Sequence, residues 1–214
     1  MYKPRYSIIV PTLVDKPLLL DYLDVKELGK AGVEVIVVRD RWRNANRTRN
    51  IGAAVAKGEI LCFIDDDSKI DQEKLIELLR AFEKYEKCFI WYDRPHLLIV
   101  RLEDFLDIKG YDERFKPNMA EDIELRHALL KRGLKEVTFD PLQISLTHLG
   151  SPKEDRQRYL LNQRHLTWLY WEYKVFPFWK LVLRKNIFEV LRRVFWILKW
   201  VFVERRRPRS IFCP

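Results

Sequence analysis

The sequence lacks most of the features that would place it in a specialised class. Its three cysteines, Cys62, Cys88 and Cys213, are odd in number, widely spaced and without a CxxC pair. They offer neither a disulfide framework nor a zinc site, and a reducing compartment is the simple inference. Glycine contributes only 7 of 214 residues and no segment repeats. With 48% hydrophobic and 33% charged residues, this excludes collagen-like, low-complexity and disordered chains. No uninterrupted apolar run reaches the roughly 18 residues of a membrane-spanning helix. The amino-terminal run SIIV stops at Pro11, too short for the core of a secretion signal.

What is present is a chain long enough for one sizeable core and an appendage. The net charge of +9 is unevenly spread: residues 1–150 carry 25 Lys and Arg against 26 Asp and Glu, and residues 151–214 carry 15 against 5. The second part also holds five of the seven tryptophans. A composition shift at the Gly150, Ser151, Pro152 turn therefore predicts a domain at 1–150 and a basic, aromatic helical tail at 151–214.

Within the first part, Tyr6 to Val10, Val33 to Val38 and Ile60 to Ile64 read as buried strands. Helical spacing over Leu18 to Leu28, around Ile51 to Lys57 and over Asp71 to Tyr85 separates and follows them. Strand, helix and strand with short connections predict an α/β fold, a mostly parallel sheet flanked by helices. Residues 41–50, RWRNANRTRN, read as an Arg-rich loop leading to the second helix. Phe89 to Tyr92 and Leu97 to Arg101 read as two further strands. A helix follows with Glu121 and Asp122 in its first turn, and final strand pieces are predicted over Glu136 to Phe139 and Gln143 to Thr147, with His148 after them.

The third strand ends in Asp65, Asp66 and Asp67. In an open α/β sheet ligands collect beyond the carboxyl ends of the strands. Three adjacent carboxylates there form a hard-oxygen cluster suited to Mg²⁺ or Mn²⁺, or else a solvated, helix-capping turn.

In chain order, SIIVPT, VIVVRD, RTRNIGAAVAKGEILCFIDDD and GYDERFKPNMAEDIELRHALLKRG resemble the motifs of family 2 nucleotide-sugar glycosyltransferases of the GT-A, Rossmann-like fold. The resemblance implies an inverting, divalent-metal-dependent sugar transfer. By that resemblance Pro11 and Thr12 line the nucleotide pocket and Asp40 meets the base or ribose. Asp65, Asp66 and Arg49 face the donor, and Asp65 and Asp67 form the DxD pair. Asp67, Asp65 and His148 surround Mn²⁺ or Mg²⁺, Asp122 is the catalytic base, and Glu121, Tyr111 and Asp112 lie on the acceptor side. One departure leaves the nucleotide open: the family's acidic Asp-Asp-Gly-Ser turn is replaced by Arg39, Asp40, Arg41, Trp42 and Arg43. These arginines either clamp phosphates or form a solvated basic loop. A nucleotidyltransferase that makes nucleotide-sugars shares this topology, but its Gly-rich phosphate loop is missing where the chain reads PTLVDKP. A catalytically degenerate membrane or assembly module is the remaining alternative.

Residues 155–207 carry no catalytic motif. Ile187, Val190, Leu191, Val194, Ile197, Leu198, Val201 and Phe202 recur at helical spacing, with Trp196 and Trp200 beside them and Arg205, Arg206 and Arg207 at the end. This is the pattern of a helix lying in a membrane interface, and equally of a stripe packed on the catalytic domain or on a second copy in a homodimer. Nucleic acid is not expected as a partner, since no zinc-finger or RNP-type pattern is present. The expectation is a peripheral enzyme on the cytoplasmic, inner face of the cell membrane, acting on a lipid-linked or glycan acceptor.

Overall fold

The computed structural model describes residues 3–92, 97–114, 120–138, 145–149 and 208–213, with the isolated positions 195, 198 and 202. The elements run β1 (Tyr6–Thr12), α1 (Val25–Lys30), β2 (Val33–Arg39), α2 (Ala45–Val55), β3 (Ile60–Ile64), β4 (Ser68–Lys69), α3 (Gln72–Phe82), β5 (Cys88–Tyr92), β6 (Leu97–Arg101), α4 (Leu102–Asp107), α5 (Ala120–Lys131), β7 (Lys135–Val137) and β8 (Thr147–His148). Six strands form one sheet in the order β2-β1-β3-β6-β5-β7. Parallel pairing joins β1 to β2 and β3, and β5 to β7, while β6 runs antiparallel to β3 and β5. The result is a mostly parallel α/β sheet with one reversed strand.

Burial follows directly from the apolar runs. All seven residues of β1 and all five of β3 are buried. Alternate side chains feed opposite faces. Ile8, Val10, Ile60, Cys62 and Ile64 pack with Leu75, Leu79 and Phe82 of α3. Ile9, Leu61 and Phe63 pack with Phe105, Tyr111, Leu125 and Leu129 on the other face. On that face α2 lies close over β1, because a Cβ at Gly52 would stand 2.4 Å from Ile9 Cγ2. Any larger residue there would lever the helix away.

Four local expectations change. The helix predicted over 18–28 divides into a 3-10 turn at Leu18–Tyr22 and α1, because the Asp24 carboxylate accepts from the amides of Lys26 and Glu27 at 2.9 and 3.2 Å and starts a new helix. The Arg-rich segment is helical from Ala45, capped by Asn44, whose side chain accepts from the Arg47 amide at 3.0 Å. Helix α4 stands between β6 and the GYDERF segment, where none was expected. The last pieces are β7 and β8, so His148 lies inside a strand instead of after one. Residues 139–144 and most of the expected tail are outside the described residues.

Candidate active site

Parallel register brings the ends of β1, β2 and β3 to one edge. Ile9 pairs with Phe63, so three residues further on Thr12 comes level with Asp66. Thr12 Oγ1 accordingly donates to Asp66 Oδ2 at 2.6 Å. The neighbouring carboxylate, Asp65, accepts from Arg49 Nη2 at 3.1 Å, with the two side chains 22% and 9% exposed. Asp67 is 9% exposed. The mutual repulsion of three adjacent acids is thus answered for Asp66 by a hydroxyl and for Asp65 by a guanidinium.

Beyond the acids, the Ser68 amide donates to Asp65 O at 3.2 Å and closes the turn. Strand β4 then pairs antiparallel with β8, with Ser68 opposite His148. The Leu149 amide donates to Asp67 O at 2.9 Å. Nearly eighty residues of intervening chain are bridged by this short ladder, which sets the backbone of His148 beside the acid turn. The His148 side chain lies outside the described residues. Among the described residues, no three side chains of His, Cys, Asp and Glu come together as a ready-made metal cage.

On the β2 side the Asp40 amide donates to Thr12 O at 2.7 Å. Asp40 Oδ1 accepts from the amides of Trp42 and Asn44 at 2.9 and 3.1 Å. One carboxylate oxygen therefore shapes the turn into α2. Arg43 in that turn adopts a left-handed φ of 51°, and the Arg47 guanidinium lies 4.9 Å from the ring centre of half-exposed Trp42. Pro11 and Thr12, at the end of β1, are both buried.

Opposite the acids, α2 grips the segment that follows α4. Asn46 Nδ2 donates to Asp112 O at 2.9 Å. Asn50 Nδ2 donates to Tyr111 O at 2.9 Å, and Asn50 Oδ1 accepts from the Tyr111 amide at 2.9 Å. Arg49, between them, reaches Asp65 on one side and lies 5.2 Å from the Tyr111 ring centre on the other. This single helix joins the acid turn to the GYDERF segment. Tyr111 is 0% exposed, its ring edge-on to Phe63 and Phe105. Asp112 is 1% exposed and accepts from Arg114 Nε and Nη2 at 2.8 and 2.7 Å. The expectation that Tyr111 and Asp112 meet an acceptor thus takes another form: their side chains face inward and fix the segment from beneath, because the ring is core material and the carboxylate already has a bidentate partner.

Asp122 lies in the first turn of α5, half-buried, where the helix dipole favours negative charge. Glu121 shares that turn, with its side chain outside the described residues.

The sequence profile described as glycosyl transferase family 2 matches residues 24–191. The chain belongs to glycosyl transferase family 2. No curated protein sequence matches it. Among solved structures, the catalytic domain of Drosophila beta1,4galactosyltransferase 7 in complex with xylobiose superposes with a TM-score of 0.59 at 20% identity, over 77% of this chain and 79% of that one. A mutant of that enzyme with manganese, UDP-Gal and xylobiose gives 0.57 at 19% identity over the same shares of 77% and 79%. The mannosyltransferase PcManGT from Pyrobaculum calidifontis, in complex with GDP-Man and Mn²⁺, gives 0.54 at 12% identity, over 95% of this chain and 71% of that one. At such identities the likeness establishes the shared GT-A fold.

For this family 2 glycosyltransferase, the structure also brings in residues that the motifs did not single out. Asn46 and Asn50 are four apart and share one helical face, a signal that becomes readable once α2 is started at Ala45. Glu113 accepts from Asn50 Nδ2 at 2.9 Å. Glu124 is 3% exposed and Arg209 Nη2 lies 3.4 Å from its Oε1. Nothing in local sequence ties Arg209 to a helix 85 residues away.

Proposed function

We propose that this glycosyltransferase transfers a hexose from a nucleotide-sugar donor, with inversion, to a lipid-linked or glycan acceptor at the cytoplasmic face of the membrane. The observation that carries the reading is the convergence of Thr12, Arg49 and the β8 strand on the Asp65 to Asp67 turn. In the GT-A neighbours the bound ligands are UDP-Gal with manganese and GDP-Man with Mn²⁺. The residues fit such an ion. Asp67 and Asp65 offer hard oxygen ligands of the kind that hold Mn²⁺ or Mg²⁺ together with substrate phosphates, and His148 is carried to the same turn by its strand. Ser68 Oγ, fully buried next to Asp67, has no hydrogen-bond partner among the described residues, an orphaned polar atom of the sort a bound ion or its water satisfies. When bound, the ion supplies Lewis-acid charge against the departing diphosphate.

The chain's own residues supply the rest. Pro11, Thr12 and Asp40 line the β1 and β2 ends for the nucleoside, and Arg49 holds Asp65 in place through their ion pair. Asp122 takes the proton of the acceptor hydroxyl as that oxygen bonds to the anomeric carbon. The bonding pair of the cleaved carbon–oxygen bond leaves with the nucleoside diphosphate, and attack from the opposite face inverts the sugar. Glu121 borders the acceptor. Thermal unfolding against a panel of nucleotide sugars, each with and without Mn²⁺, tests this: a rise that needs both one donor and metal is expected. No rise with any donor would overturn the reading.

The acceptor class rests on residues 155–207, of which the described residues include only Phe195, Leu198 and Phe202, each helical and exposed. Among the described residues no helix is long and apolar enough to cross a membrane. Interfacial docking through the basic and aromatic residues accounts for that composition, with each cation near an anionic leaflet contributing about 1 kcal/mol. Flotation with anionic liposomes should fall severalfold when Trp196 and Trp200 are replaced by serine, and unchanged flotation would return the segment to protein packing.

A further inference from the structure

The last described residues return to the site. The Glu113 amide donates to Arg209 O at 2.7 Å, and the Ile211 amide donates to Glu113 Oε1 at 2.8 Å, the same oxygen that accepts from Asn50. Ser210, 2% exposed, donates its hydroxyl to Lys109 O at 2.6 Å. Phe212 packs edge-on against Phe105, with ring centres 6.1 Å apart. Gly110 makes room for it: a Cβ there would stand 2.9 Å from the Phe212 ring and 2.6 Å from Asn50 Oδ1, on a backbone with φ of 64°. These contacts seat Arg209 to Phe212, at the end of the expected tail, on the catalytic domain.

The charges are the telling part. Asp112 and Glu124 are two carboxylates buried at the junction of the GYDERF segment and α5, and buried carboxylates are costly unless countered by charge and hydrogen bonds. The Arg209 guanidinium lies between them, with Nε 3.9 Å from Asp112 Oδ2 and Nη2 3.4 Å from Glu124 Oε1. One cation therefore links the segment to the helix that bears Asp122. Glu124 is two residues from Asp122, so the two side chains point to different sides of α5 and Arg209 acts on Asp122 only through the helix. At the other end, the Leu149 amide donates to Asp67 O, so the described chain meets the acid turn at Leu149 and the GYDERF segment at Arg209.

We infer that Arg209 is a positioning residue for sugar transfer: with residues 210–212 it forms a carboxy-terminal strap that locks the GYDERF segment and α5 in one arrangement, and so sets the acceptor side without touching the donor side. The role in transfer rests on the function proposed above. The lock itself does not.

The test uses the full-length protein with Arg209→Ala and Arg209→Lys, and a chain ending at residue 208. Donor binding is read by thermal shift with Mn²⁺ and the nucleotide sugar, transfer by kcat and KM for the acceptor, and the lock by amide hydrogen exchange. Arg209→Ala should keep the donor-induced shift, lower acceptor kcat/KM roughly ten- to a hundredfold, and speed exchange of the 110–113 amides while leaving β3 protected. Arg209→Lys restores charge without the planar fork and should recover only part of the loss. Unchanged exchange and transfer in Arg209→Ala would overturn the inference, as would an equal loss of donor binding and transfer. If the wild type binds no donor, the proposed function fails while the exchange comparison still decides whether the strap exists.

Discussion

Asp65 and Asp66 find their partners in Arg49, within α2, and Thr12, at the end of β1, elements that the first sixty residues already lay down. Asp112 and Glu124 are served by Arg114 and by Arg209, the latter about a hundred residues further along the chain. The proposed donor side is a strand-end site, built by parallel register, and its geometry follows from the sheet. The proposed acceptor side is a junction of polar clamps between α2, the GYDERF segment, α5 and residues 209–212. A strand-end site survives as long as its sheet does, whereas a clamped junction can loosen while the sheet stays folded.

The largest effects should separate the two sides chemically. Asp67→Ala is expected to abolish the metal-dependent donor shift, and Asp122→Asn to cut transfer by about a thousandfold while the donor shift persists. Full activity in either variant would remove the role assigned to that carboxylate. Arg49→Met strikes the residue that both sides share: it leaves Asp65 without its guanidinium and should cost about 3 kcal/mol of stability, measured by denaturant unfolding, together with donor affinity. A change below experimental error would show that the pair is not a structural link.

Asn50→Ala sharpens the contrast. It removes three hydrogen bonds to Tyr111 and Glu113 and should destabilise by about 2 kcal/mol, raising acceptor KM more than donor KM. Equal changes in both would dissolve the distinction between the sides. The smallest expected effect lies far from the site. The Tyr6 hydroxyl donates to Glu83 Oε1 at 2.6 Å and, with Arg5, holds the Glu83 carboxyl below the usual carboxylate range. A depressed folded pKa contributes stability that is present above the unfolded value and lost as pH falls through the folded one. Tyr6→Phe should therefore cost about 1 kcal/mol at pH 7 and progressively less in acid, with no effect on transfer. A pH-independent difference between the unfolding midpoints would exclude this linkage.

Much of the proposed donor side is legible in the sequence. The apolar run Ile60 to Ile64 marks a doubly buried strand, and the acids that follow it announce the edge where ligands bind. Four arginines in ten residues read as a loop, whereas the Asn44 cap and the buried asparagine face start a helix at Ala45. Tyr111 and Asp112, expected on the acceptor side, turn their side chains into the fold. An aromatic beside an acid reads as a surface motif until the core residues Phe63 and Phe105 are seen to enclose the ring.

By itself, the sequence determined the family, the order of β1, α1, β2, α2, β3 and α3 without the short β4, and the acids at the end of β3, because hydrophobic periodicity, capping residues and contiguous motifs are local and survive without a partner. Only the tertiary structure decided that β8 sets His148 opposite Ser68, that Arg49 bridges Asp65 and Tyr111, and that Arg209 sits between Asp112 and Glu124. Those contacts join residues whose separation along the chain carries no periodic signal. They exist because burying a charge obliges the fold to bring its counterpart from wherever the chain can supply one.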